Sequence, residues 1–302
     1  TPSWTILEVN APRSRGGARF RALADGSVRV EGDNPDYDVY TFELATDQTC
    51  LTALRLEIAE HLARLRRSAQ ALAFTSVPPD AEIVERIRAV LAANAMTDDV
   101  HIRLTLTRGV KITSGMDPRL NRSGPTLIVL AEFKSPVYDD SGISLVTSSV
   151  RRSRPDSLDP KIHHNNLLTS ILAKVEANVA GADDALMLDD RGFVAETNAT
   201  HVFHVLGGVV RTATTRACPE GITRETILEI CADTGIPVAV GDYSLTEVYS
   251  ADEVFVTGTM GGVTPVLTVD GRTIGSGRPG PFVPKLSAAY LDRTAAEGTV
   301  VV

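Results

Sequence analysis

ISLVTSSVRRSRPDSLDPKIHHNNLLTSILAKVEANVAG, residues 143–181, passes through three patterns in turn. Ile143–Ser149 reads as a strand. Arg151–Pro160 is an irregular basic loop. Leu167, Leu168, Ile171, Leu172, Val175 and Val179 then recur at helical spacing as far as Gly181, a natural helix stop. Short strands follow, not a second strand–helix pair. That order points to a mixed α+β fold and away from a doubly wound parallel sheet.

Downstream, strands are expected at Ala185–Leu188, Phe193–Ala195, His201–Leu206 and Val209–Thr212, the last two joined by Gly207-Gly208 as a hairpin. Thr223–Asp233 reads as a helix ending before Gly235, and Ser244–Glu247 as a capping box. Glu253–Thr257 and Val263–Val269 read as strands around a glycine-rich turn, and Phe282–Ala296 as a terminal helix. Upstream, Ser135–Gly142 has linker composition. Before it, Leu54, Ile58, Leu62, Leu65 and Leu72 predict a helix from Ala53 to about Ala73, stopped by Val77-Pro78-Pro79-Asp80, which caps a second helix carrying Ile83, Ile87, Val90 and Leu91. His101–Thr107 alternates as a strand and Thr126–Glu132 is nearly continuously apolar. Strands are also expected around Asp25-Gly26 and at Val39–Leu44. The expected organisation is a small N-terminal α/β lobe (1–134), a linker (135–142) and a larger lobe of mixed strands and helices (143–302).

The 302 residues carry a net charge of −8, which disfavours nucleic-acid and polybasic membrane binding. No apolar run is long enough for a membrane span, and Thr1–Gly17 has no apolar signal core. Three unpaired-looking cysteines (Cys50, Cys218, Cys231) suit a cytoplasmic protein. Lysine occurs only at Lys111, Lys134, Lys161, Lys174 and Lys285, so chemistry that needs an amine has five candidates. Lys161 stands apart from the others, at a loop–helix junction after Asp159-Pro160.

Other residues have two readings each. Gly221-Ile222-Thr223-Arg224 opens a helix and suits an anion, or is a simple Thr N-cap. Thr257–Gly262 is an anion nest or a tight turn. Glu196, ending a strand beside small polar residues, is a site acceptor or a solvated turn residue. Arg64 is a phosphate ligand or one of a basic set with Arg66 and Arg67. The pairs His163-His164 and His201/His204 lack metal-ligand spacing, and no acid or cysteine cluster joins them in sequence, so no metal is expected.

At these residues the sequence resembles the fold-type IV pyridoxal-phosphate enzymes (class IV aminotransferases), and within them branched-chain aminotransferase-like proteins. The resemblance rests on Leu158–Leu168, GFVAETNAT (192–200), GITR (221–224), ADEVFVT (251–257), GTMGGVTPV (258–266), His61-Leu62-Ala63-Arg64-Leu65 and His101-Ile102-Arg103. It implies pyridoxal 5′-phosphate held by Lys161 as a Schiff base, with Glu196 at the ring nitrogen. Arg64, Ile222, Thr223 and Thr259 would bind the phosphate, and His101, Arg103 and Met260 would face the substrate. Lys161 would also be the catalytic proton carrier. It further implies a homodimer and a ping-pong transfer from an amino acid (branched-chain-like) or amine to a 2-oxo acid. A lyase or specialised biosynthetic enzyme on this scaffold, or a non-catalytic relative, are the alternative readings. The cofactor positions match the pattern. Pocket positions depart from it: Asp36–Glu43 is a loose match to the N-terminal motif, and Asn166, His201, Pro219-Glu220, Gly262 and His101 replace the usual residues.

Overall fold

The computed structural model describes residues 8–14, 19–22, 28–31, 40–45, 55–56, 58–97, 100–134, 137–138, 141–297 and 299–301. The chain forms two units, Thr1–Thr52 and Ala53–Val302. In the first, Glu8–Ser14 (β1) pairs antiparallel with Tyr40–Ala45 (β4), and Arg19–Ala22 (β2) with Val28–Glu31 (β3). The turn at Asp25-Gly26, Cys50 and the whole 36–39 stretch fall outside the described residues.

The second unit begins differently from its periodicity. Arg55–Leu56 (β5) is a short strand, because its backbone pairs with Thr299–Val300 (β17) near the end of the chain. The first helix (α1) therefore runs Ile58–Ala71 instead of starting at Ala53. The next (α2, Asp80–Ala93) has Pro79 at its N-cap with no side-chain cap. Asp80, the first residue of the helix, accepts from Arg66 Nε at 2.7 Å. Val100–Thr107 (β6) and Thr126–Phe133 (β7) form a hairpin in unbroken register. Its inner face, with Ile102, Leu104, Leu127 and Val129, packs on Ile58, Leu62, Ile83, Ile87 and Leu91. The outer face carries His101 and Arg103 opposite Glu132 and Leu130. β7 is thus half-buried, with Ile128 and Leu130 about half exposed, because only one face of a two-stranded layer meets the helices.

The main sheet has nine strands among the described residues. In chain order they are Ile143–Thr147 (β8), Asp184–Leu188 (β9), Val194–Thr197 (β10), His201–Leu206 (β11), Val209–Ala213 (β12), Val238–Gly241 (β13), Glu253–Gly258 (β14), Gly262–Val269 (β15) and Arg272–Thr273 (β16). Their spatial order is β10-β9-β8-β15-β14-β11-β12-β13, with β16 on β15. Pairs β8–β9, β8–β15 and β12–β13 are parallel and the rest antiparallel, the mixed α+β arrangement expected. β13 and β16 carry no period long enough to read from sequence. Gly207 and Gly208, both at positive φ (61° and 77°), close the β11–β12 hairpin as their sequence predicts. One apolar cluster holds Leu145, Leu186, Val202, Val254 and Val266, and another holds Phe203, Ile227, Phe255, Leu286 and Tyr290. Into them pack Ile222–Asp233 (α4), Leu245–Tyr249 (α5) and Phe282–Glu297 (α6).

Leu168–Ala180 (α3) ends at left-handed Gly181 as expected, and it turns its small residues toward the sheet. Ser170, Ala173 and Ala177 face the sheet, the two alanines against Ala185 and Met187. The large residues that mark the helix, Leu168, Ile171, Leu172, Val175 and Val179, are exposed. Close approach of α3 to the sheet admits only the small face.

Candidate active site

Three stretches converge at one end of the main sheet: the loop leading into α3, the β10–β11 turn, and the segment opening α4. The turn is built by Thr197, a buried residue whose Oγ1 accepts from the backbone N–H of Ala199 (3.1 Å) and Thr200 (2.8 Å). It sets Glu196 at the end of β10 and His201 at the start of β11, both buried. Arg152 Nη2 lies 2.6 Å from Glu196 Oε1. The same guanidinium donates from Nη1 to Ser170 Oγ (3.0 Å) and from Nε to the Ala217 carbonyl (3.2 Å), so it is fixed on three sides. Burial pushes the Glu196 carboxyl up to about 8, and Arg152 opposes that rise.

Gly221 is the N-cap of α4. The N–H groups of the helix's first turn lack intrahelical acceptors and present the positive end of the dipole. Thr223 is therefore not the cap. It sits inside the first turn, buried, and its Oγ1 has no partner. The Thr257 hydroxyl, on β14, is likewise buried without a partner. Arg64, from α1, reaches the same segment, donating to the Glu220 carbonyl at 3.4 Å. Lys161 Nζ lies 3.4 Å from Glu220 Oε1, and Arg67 Nη2 3.5 Å from Glu220 Oε2. The Lys161 side chain is 49% exposed, more than Lys174 at 39%, so its neighbours and not its burial distinguish it.

The loop after Lys161 is pinned to α1 by His163 N–H donating to Ser68 Oγ at 3.0 Å. Burial first, and then Arg64, hold His61 and His163 down at about 4, so both are neutral near pH 7. Arg103 Nη2 donates to Asn165 Oδ1 at 3.4 Å, which brings the outer face of the β6–β7 hairpin to this loop. His101, on the same face, lies 3.5 Å from Glu132. Thr259 and Met260 occupy the β14–β15 turn. That turn follows Gly258, whose added Cβ would touch Thr200 at 3.2 Å, so the turn adjoins the one holding Glu196. Among the described residues no hydrogen bond joins Thr259 or Met260 to the others.

Sequence reading missed several members. Arg152 is one of three arginines within 151–154, and nothing local marks it. Cys218 carries no signal, whereas Thr257 reads as the start of a candidate anion nest. His201 and His204 lie on opposite faces of β11, as expected, yet His201 is joined by an acid and a thiol that the sequence did not bring near it. Ligand atoms of Glu196, His201 and Cys218 lie within 4.8 Å of one another. Arg152 against the carboxylate and the Cys218 thiol, pushed up to about 12 by burial, make the trio a poor host for a further cation. Separately, a cavity of about 670 Å³ opens beside α4, touching Arg67, Glu220, Ile222, Arg224 and Arg293 but not Lys161 or Glu196.

The amino-transferase class IV family model matches residues 53–269. The branched-chain-amino-acid aminotransferase-like protein 2 of Arabidopsis thaliana is 52% identical over 246 residues, 81% of this chain and 44% of that protein. The chain thus spans less than half the length of that relative. The putative branched-chain-amino-acid aminotransferase of Methanocaldococcus jannaschii is 36% identical over 78% of this chain and 81% of its own length. Among solved structures, a T.th. branched-chain amino acid aminotransferase complexed with N-(5′-phosphopyridoxyl)-L-glutamate superposes with a TM-score of 0.74 at 34% identity, covering 81% of this chain and 83% of that one. The branched-chain amino acid aminotransferase from Escherichia coli gives 0.70 at 30% identity, over 80% and 79%. A lysine loop, a buried carboxylate and an open helix N-terminus thus meet on a fold shared with these proteins, and the chain belongs to the class IV aminotransferase family.

Proposed function

We propose that the chain is a pyridoxal 5′-phosphate-dependent aminotransferase that moves an amino group from a branched-chain-like amino acid or an amine to a 2-oxo acid in a ping-pong cycle. The observation that carries this reading is the open first turn of α4, with its buried, unpartnered Thr223 hydroxyl, in the same residue group as buried Glu196. An orphaned buried hydroxyl costs free energy unless a ligand satisfies it. A helix N-terminus with Arg64 beside it suits a phosphate, and a buried carboxylate suits a protonated ring nitrogen. The residues present therefore fit this cofactor.

When bound, the cofactor supplies an electron sink for negative charge at the substrate carbon and carries the amino group between half-reactions. The Ile222 and Thr223 amides, the Thr223 hydroxyl, Thr259 and Arg64 hold its phosphate. Glu196, oriented by Arg152, accepts from the ring nitrogen and keeps a proton there. Lys161 Nζ holds the cofactor and, when free, carries a proton to or from the substrate carbon. Glu220 supplies a carboxylate to receive that amine as an ammonium. Arg103 binds a substrate carboxylate, with His101 beside it on the hairpin's outer face and the apolar side chains of Ile128 and Leu130 close by. Met260 lines the opposite turn.

The partner we infer is a second copy of this chain, and the exposed apolar face of α3 is its candidate contact. The division into lobes at 135–142 is supported by the separate apolar cluster of α1, α2, β6 and β7. No helix among the described residues is long and apolar enough to cross a membrane. The free, buried Cys218 and Cys231 suit a reducing compartment such as the cytoplasm.

The deciding experiment loads the protein with pyridoxal phosphate and follows its visible absorbance and amino transfer from a donor panel. Lys161→Ala abolishes both, and Lys174→Ala leaves both. A loaded protein with no visible band, or one that transfers from no donor, overturns the reading.

A further inference from the structure

We propose that His201 is a positioning residue that locks the segment opening α4 to the Glu196 carboxylate, so that the two ends of the cofactor site keep one spacing. This rests on the functional reading above. The ring is buried at the start of β11, and its Nε2 lies 2.9 Å from the Pro219 carbonyl oxygen. A carbonyl oxygen only accepts, so Nε2 carries the proton. Burial holds the ring down at about 4, so it is uncharged near pH 7 and Nδ1 is bare.

The same ring packs against Gly221. A Cβ at that position would come within 2.6 Å of His201 Nδ1, and an aromatic ring held by a hydrogen bond cannot give way. Gly221 is at an ordinary φ of −75°, so its need for glycine is the ring and not the backbone. The same Nε2 stands 3.9 Å from Glu196 Oε2. That is too long for a hydrogen bond and too short to admit a water between them. One side chain therefore touches both the carboxylate and the N-cap of the helix whose amides would hold the phosphate. A ligand gripped at both ends loses affinity when their spacing relaxes, while inorganic phosphate, which uses only the helix end, does not.

The test uses the full chain with His201→Gln, which keeps a donor for Pro219, and His201→Leu, which does not. Pyridoxal phosphate affinity, the visible band of the loaded protein, competition by inorganic phosphate and thermal stability are measured for each. His201→Leu is expected to weaken cofactor binding about tenfold and shift the band, as the loss of one buried hydrogen bond predicts. Phosphate competition stays unchanged, and His201→Gln restores affinity and band. Wild-type affinity and band in His201→Leu overturn the proposal. So does an equal loss for cofactor and inorganic phosphate. Should His201→Leu fail to fold, Gly221→Ala decides: it weakens cofactor binding beside His201 and is relieved in a His201→Ala background. Equal loss in both backgrounds overturns the proposal. A wild-type protein that takes up no cofactor overturns the functional reading itself, a result distinct from unaffected His201 variants.

Discussion

At the scale of single residues, the site depends on a buried ion pair. Arg152 and Glu196 are 12% and 6% exposed at their side chains, so each is the other's principal compensation. Removing one partner of such a pair typically costs about 3–5 kcal/mol, because the remaining charge is stranded. Because burial holds Glu196 up at about 8, its carboxyl takes up a proton when Arg152 is lost and no charge is stranded, so Arg152→Gln is expected to lower stability by less than that, roughly 1–2 kcal/mol, in urea unfolding. It also lets burial drive Glu196 further toward its protonated form, which weakens the cofactor's visible band near neutral pH. Unchanged unfolding and an unchanged band count against the positioning role of Arg152. The sequence named Glu196, Lys161 and the Gly221–Arg224 segment because each sits at the end of a readable element. It did not name Arg152, because a guanidinium in a basic loop looks like its neighbours until the fold aims it.

Among elements, the β10–β11 turn matters most. Thr197 closes it with a single buried oxygen that accepts from two backbone N–H groups. Thr197→Val keeps the volume and leaves both donors unsatisfied, a loss of about 2 kcal/mol. Because Glu196 and His201 flank the turn, the same change is expected to weaken pyridoxal phosphate binding. Thermal unfolding and a cofactor titration check the two parts separately. The helix α3 shows the opposite relation between pattern and packing. Its apolar spacing was legible and the helix is there, but Ala173 and Ala177 face the sheet while Ile171 and Val175 face out. Periodicity locates a helix and its apolar stripe; it does not say whether that stripe meets the chain's own core or another surface.

For the whole molecule, the exposed α3 face argues for self-association. Leu168, Ile171, Val175 and Val179 are 60%, 57%, 50% and 85% exposed, a contiguous apolar surface unusual for a lone chain. Sedimentation equilibrium is expected to give twice the 32.3 kDa chain mass, and Ile171→Glu with Val175→Glu to return the mass of one chain. A wild-type protein that sediments as one chain, or a double variant that still pairs, removes α3 as the contact.

Local patterns set the mixed α+β class and the helices and most strands of the main sheet, and a resemblance to class IV aminotransferases singled out Lys161, Glu196 and the Gly221–Arg224 segment as candidates. These follow from local rules: side-chain period, turn chemistry and motif order are written in neighbouring residues. Tertiary structure alone decided that Arg55–Leu56 is a strand, since its partner, Thr299–Val300, lies at the far end of the chain. It alone joined Arg152 to Glu196 across 44 positions of sequence and set the His201 ring against Gly221. Those relations depend on which elements pack together, and burial, the force that selects the packing, acts between residues that no local pattern connects.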